Sequence, residues 1–111
     1  MRPRGRLALL SLAVLSAACA AALRHASPAD VALLAPRWPG TTVADLERGR
    51  TLYVLRCSGC HTLLLPATRR PQEWPRLVDE MAEKARLKPG ERDDVVRFLV
   101  AVASDAAAAG R

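Results

Sequence analysis

Arg56-Cys57-Ser58-Gly59-Cys60-His61 is the stretch on which the reading of the whole chain turns. Two cysteines three positions apart can share one helical turn, and a histidine directly after the second sets an imidazole beside them. Three chemistries compete for such a set. A structural zinc ion wants about four protein ligands, and outside the motif the chain offers only Cys19 and His25, near its start. A thioredoxin-like redox pair sits beside a β-α-β pattern, and no stretch here reads as a convincing strand. A covalently attached haem would use all three residues. Cys57 and Cys60 would each form a thioether to one of two vinyl groups on the same porphyrin edge, and His61 would reach the iron as proximal ligand.

The length suits that reading. A chain of 111 residues is one small domain plus an N-terminal segment. A core of that size is marginal unless a buried cofactor or metal adds to it. The formal charge is +6, but Arg2, Arg4 and Arg6 belong to a segment that looks like targeting sequence; without them 14 basic residues face 11 acidic ones, for +3. Basic and acidic residues are interspersed, with no long cationic run and no aromatic interleaving, which argues against a nucleic-acid partner. What remains is a mixed solvated surface or a mildly basic face that steers docking onto an acidic redox partner.

Residues 1–22 combine a basic start, an apolar run from Leu7 to Leu15 and the small residues Ser16-Ala17-Ala18-Cys19-Ala20-Ala21-Ala22. That is the composition of an export signal. Three fates stay open. Signal peptidase can cut after Ala20-Ala21-Ala22 and release a soluble protein. Leu15-Ser16-Ala17-Ala18-Cys19 resembles a bacterial lipobox, with Ser16 where leucine is usual, in which case Cys19 is lipidated and tethers the chain. Residues 7–23 are also uncharged over 17 positions, the lower limit for an uncleaved membrane anchor. In each case the arginine-rich start stays inside and the remainder crosses. The expected location is therefore periplasmic, or the extracytoplasmic face of the membrane, where bacteria attach c-type haem.

Residues 23–40 carry Pro28, Pro36 and Pro39 and read as a linker. Ser27-Pro28-Ala29-Asp30 has the form of a helix start, with room for a single turn before Pro36. Trp38 would cover the haem, an edge of the domain or, in a tethered form, the membrane surface. His25 lies too near the processing region to be expected as a ligand.

The domain proper is expected over residues 41–111. Thr42 offers an N-cap with Asp45 three residues on, and Leu46, Gly49 and Tyr53 then share one helical face. A glycine in mid-helix costs about 1 kcal/mol relative to alanine, and a close helix crossing at Gly49 would justify it. The run Gly49-Arg50-Thr51-Leu52-Tyr53-Val54-Leu55-Arg56-Cys57-Ser58-Gly59-Cys60-His61 resembles the N-terminal helix and haem motif of class I-type monohaem cytochromes c. The resemblance extends over residues 41–103. It implies an all-α fold of about three main helices wrapped around one covalent haem c, preceded by the export signal and linker. It also implies that Gly49 and Tyr53 pack against a C-terminal helix.

Residues 62–75 contain Pro66, Pro71 and Pro75 and no sustained period, so they read as the loop that wraps the haem. Leu63, Leu64 and Leu65 would lie against the porphyrin, Pro66 would help to fix the His61 ring, and Arg69 and Arg70 either pair with propionates or are simply solvated. Apolar residues at 74, 77, 78, 81, 82 and 85 predict a helix over 74–85. Met81 is on that face. It is the only methionine beyond Met1, and so the one thioether available as distal iron ligand; otherwise it fills the core. Many small cytochromes c present this methionine from an irregular loop, and here the periodicity puts it on a helix. A break at residues 87–91 leads into a last helix over 91–103, with Phe98 as partner of the Gly49 and Tyr53 face, and the alanines at 106–109 are expected to fray.

The resemblance implies an electron carrier that shuttles single electrons between transiently docked redox proteins, with histidine/methionine ligation favouring a relatively high potential. No residue is set for acid–base or nucleophilic work, so an enzyme is not the expectation. Two alternatives remain: a haem enzyme or gas sensor with an open distal site, should Met81 not ligate, and an electron-transfer subunit of a larger oxidoreductase.

Overall fold

A computed structural model of the chain describes residues 23–57 and 63–110. The export signal expected over 1–22, and the motif residues Cys60 and His61, lie outside the described residues. The elements are α1 (Pro28–Leu34), α2 (Val43–Leu52) continued by a wide π-helical turn (Tyr53–Cys57), short 3₁₀ turns at Pro66–Thr68 and Pro71–Glu73, α3 (Trp74–Ala82) and α4 (Pro89–Ala109). No strand occurs among the described residues, so the fold is all-α as the sequence predicts.

Local chemistry sets the helix starts. Thr42 Oγ1 accepts the Asp45 amide (3.1 Å) while the Asp45 carboxylate accepts the Thr42 amide (2.8 Å), satisfying two of the orphan donors of α2. Asp30 accepts the Ser27 amide at 2.8 Å at the start of α1. Glu91 accepts the Lys88 amide at 3.0 Å ahead of α4, where Pro89 occupies a first-turn position that needs no amide hydrogen.

The central contact is between α2 and α4. Gly49 is buried at their crossing: a Cβ added there would stand 2.5 Å from the Asp94 carbonyl carbon and 3.0 Å from the Val95 nitrogen, and closer still to the Asp94 oxygen. Only a residue without a side chain lets the two backbones meet. Around the crossing Leu46, Tyr53, Trp74, Val78, Val95, Phe98 and Leu99 form one buried cluster, so Phe98 belongs to the same core as the Gly49 and Tyr53 face.

Three features differ from expectation. Residues 23–40, read as a linker, carry α1 and pack onto the core, with Leu23 and Leu34 buried. Polar straps hold them there. Arg24 grips Asp30 through two 2.8 Å bonds and reaches Asp105 of α4 at 3.1 Å, while Arg50 of α2 donates to the Leu23 carbonyl (3.0 Å) and the Arg24 carbonyl (3.2 Å). Proline limits helix length but does not prevent burial of the flanking leucines. Secondly, α4 runs on to Ala109 instead of fraying after residue 103, because alanine has the highest helix propensity and Asp105 is tied to Arg24. Thirdly, α3 closes at Ala82 rather than 85 and turns through Arg86, whose φ of 54° is in the left-handed region. Leu87 N bonds Ala82 O (2.9 Å) and Arg86 N bonds Glu83 O (3.0 Å), the paired closure of a Schellman turn.

Candidate functional site

Helix α2 delivers the first motif residue. After Leu52 the helix widens into the π-helical turn, and Cys57 at its end is half-buried against the core. Such turns recur at functional sites because they shift side chains off the regular helical register. From Leu63 onward the chain is tied to the core. Tyr53 Oη donates to the Leu64 carbonyl, Thr68 Oγ1 to the Leu65 carbonyl (2.6 Å) and Trp74 Nε1 to the Pro66 carbonyl (3.0 Å). Tyr53 and Trp74 meet edge to face with ring centroids 6.1 Å apart, an arrangement that aligns ring edge with ring face. One buried aromatic pair thus anchors the chain on both sides of residues 58–62.

Burial above all, and then the neighbouring Cys57 sulfur, push the Tyr53 phenol far above its ordinary value. Tyr53 therefore remains a neutral donor to the Leu64 carbonyl throughout the physiological range.

Apolar side chains flank the motif on either side in sequence. Leu55 in the wide turn is 69% exposed, and Leu64 and Leu65 are 40% and 41% exposed. Leu52, Val54 and Leu63 lie partly buried against the core. Large aliphatic residues left exposed on both sides of the motif in sequence are surface that an apolar partner or ligand would cover.

Met81 is half-buried in the last turn of α3, on the face that sends Trp74 and Val78 into the core. A contact that sequence reasoning missed links this turn to the motif. Arg56, the residue before Cys57, donates to the carbonyls of Ala85 (3.3 Å) and Arg86 (3.1 Å) just beyond α3. An exposed arginine leaves no periodic signal, so nothing in the sequence marks it.

The other candidates lie apart from this arrangement. Arg70 turns back on Glu73 (Nε to Oε2, 3.4 Å) and Arg69 donates to the Thr68 carbonyl (3.1 Å); both line a surface hollow of about 300 Å³ with Ala103, Ala106 and Ala107 of α4. His25 bonds Glu47 of α2 at 3.0 Å, and Trp38, partly buried, stacks under the Arg37 guanidinium at 4.3 Å. A larger hollow of about 520 Å³ follows the α2/α4 seam past Glu47, Arg48, Glu91 and Asp94 and holds none of the predicted ligands. Among the described residues no group of three or more His, Cys, Asp or Glu is placed to hold a metal, and no helix is long and apolar enough to cross a membrane.

No protein-family model matches the chain, and neither a curated protein nor a solved structure is significantly similar to it.

Proposed function

We propose that the chain is a monohaem c-type cytochrome of the class I type, exported beyond the cytoplasmic membrane and carrying single electrons between redox partners. The observation that carries the reading is the Cys57-Ser58-Gly59-Cys60-His61 motif following directly on a helix that crosses the C-terminal helix at a buried glycine. Donor chemistry and surface both fit a haem. Thiols at Cys57 and Cys60, the His61 imidazole and the Met81 thioether are the attachment and ligand groups such a cofactor uses, and Leu55, Leu64 and Leu65, which flank the motif in sequence, offer uncovered apolar surface.

Cys57 and Cys60 would hold the group, with His61 and Met81 as the residues that would bind its iron. When bound, it supplies one-electron chemistry between ferric and ferrous iron. The protein's own residues do the rest. Tyr53 and Trp74 fix the Leu64 and Pro66 carbonyls, so the wrapping loop needs little rearrangement as charge changes. Once covered by the group, Leu55, Leu64 and Leu65 would keep water from it, which would favour the less charged, reduced form. A carrier of this kind would bind its partners briefly over a small surface.

The test is an oxidised and reduced absorption spectrum of the protein exported in a host that matures c-type cytochromes. Sharp reduced haem c bands, together with the weak far-red band of methionine bound to ferric iron, are expected. Haem c bands without that feature, with rapid carbon monoxide binding, would shift the reading to a haem enzyme or gas sensor with an open distal site. A stable partner co-purifying from the native host would instead mark an electron-transfer subunit. Absence of covalent haem would remove the proposal altogether.

A further inference from the structure

We infer that Arg56 is a positioning residue that clamps the Met81 turn to the haem motif; the inference rests on the proposed reading of Met81 as distal ligand. The end of α3 accounts for its own carbonyls in part. Met81 O accepts from Ala85 N (2.9 Å), Ala82 O from Leu87 N (2.9 Å) and Glu83 O from Arg86 N (3.0 Å). The Ala85 and Arg86 carbonyls that follow take their donor from Arg56. A guanidinium there sits where the partial negative charge of a helix C-terminus gathers. One guanidinium nitrogen, Nη1, donates to both adjacent carbonyls, and the planar head fixes that geometry more tightly than the freely rotating ammonium of a lysine would.

Arg56 is covalently next to Cys57, and the Met81 carbonyl is hydrogen-bonded to Ala85 N, whose own carbonyl Arg56 holds. The first attachment residue and the candidate distal ligand are therefore joined by a short chain of contacts. A thioether is a neutral, weak donor, so its hold on iron depends on being presented in place rather than on its own attraction. Loss of the clamp frees the 83–87 turn and raises the population in which Met81 is away from the iron, without removing the ligand itself.

The experiment compares wild type, Arg56→Met, Arg56→Lys and Met81→Ala, each exported and matured with haem. Three quantities are read: the pH at which the far-red methionine band of the ferric protein is half lost, the reduction potential, and amide exchange at Leu87. For Arg56→Met the midpoint is expected to fall by about one pH unit, a roughly tenfold rise in the detached form, as suits the loss of charge-assisted hydrogen bonds. Its potential should drop and Leu87 exchange quicken, with Arg56→Lys recovering part of each. If the wild-type band is present and Arg56→Met matches wild type in all three, the clamp is refuted while Met81 ligation stands. If wild type lacks the band and Met81→Ala has the same spectrum and potential, the ligand reading fails and the clamp with it. Should Arg56→Met attach no haem, Arg56→Gln, which keeps a donor but loses reach and charge, carries the comparison with the same two outcomes.

Discussion

Gly49 shows what a single residue decides here. Its missing side chain leaves room for the Asp94 and Val95 backbone, so Gly49→Ala gains about 1 kcal/mol of helix propensity and forces two buried helices apart. Overpacking of this kind costs about 1–3 kcal/mol, and with backbone as the obstacle the upper end applies. A net loss of roughly 2 kcal/mol is expected in denaturant unfolding, and an unchanged midpoint would mean that α2 and α4 do not meet at this point. Arg86 is the opposite case. A non-glycine residue in the left-handed region costs about 1–2 kcal/mol, so Arg86→Gly, which keeps the carbonyl that Arg56 uses, should raise stability by about 1 kcal/mol in the same measurement. Gly49 was legible because a mid-helix glycine is locally unfavourable and asks for a reason. Arg86 and Arg56 were not, since both look like solvated charges and act only through backbone that the fold brings to them.

Among the elements, α1 is the one whose role the sequence concealed. Its start was readable from Ser27, Pro28 and Asp30, but Leu23 and Leu34 are separated by a proline and show no period, so their burial follows only from the polar straps around them. Those straps make a pH prediction. Burial acts against ionising Asp30, but the Arg24 fork and the Ser27 amide outweigh it and hold the carboxyl below its ordinary value near 3.8. A carboxyl depressed by folding stabilises the native state above its unfolded pKa, and that contribution disappears as pH falls through the lower, folded value. The α1 strap should therefore be intact from neutrality to about pH 4 and release below it. Asp30→Asn should flatten the acid end of the stability curve, measured by thermal melts across pH, and lose about 1–3 kcal/mol at neutral pH as Arg24 gives up its buried carboxylate and is left with the exposed Asp105 and the His25 carbonyl. An acid slope identical to wild type would mean that the Arg24–Asp30 pair does not hold α1 in solution. By contrast α2, α3 and α4 were legible as amphipathic stripes, α2 with its Thr42 cap, and the C-terminal ends of α3 and α4 moved where a turn geometry or a run of alanines overrode the apolar period.

At the scale of the molecule, the described core divides unevenly between two sides. The α2/α4 crossing, with α1 strapped across it, is closed by side chains and backbone of the protein itself. The side bearing Leu55, Leu64 and Leu65 is not, for those residues keep 40% or more of their surface in solvent. A domain this small has little stability to spare, so, on the proposed reading, loss of the haem should act selectively on the open side. The Cys57→Ala/Cys60→Ala double variant, exported alongside wild type, is expected to keep slow amide exchange in α2 and α4 and to lose it in α3 and residues 63–68. That loop depends on the Tyr53 and Trp74 hydrogen bonds, and α3 on the contact from Arg56, the residue next to Cys57. With one kcal/mol equal to roughly 4–8 °C for a domain of this length, a fall in melting temperature of about 15 °C or more corresponds to losing a few kcal/mol of ligand-linked stability. Equal exchange in all four helices, with melting unchanged, would show that the open side needs no cofactor and that the exposed leucines serve some other contact.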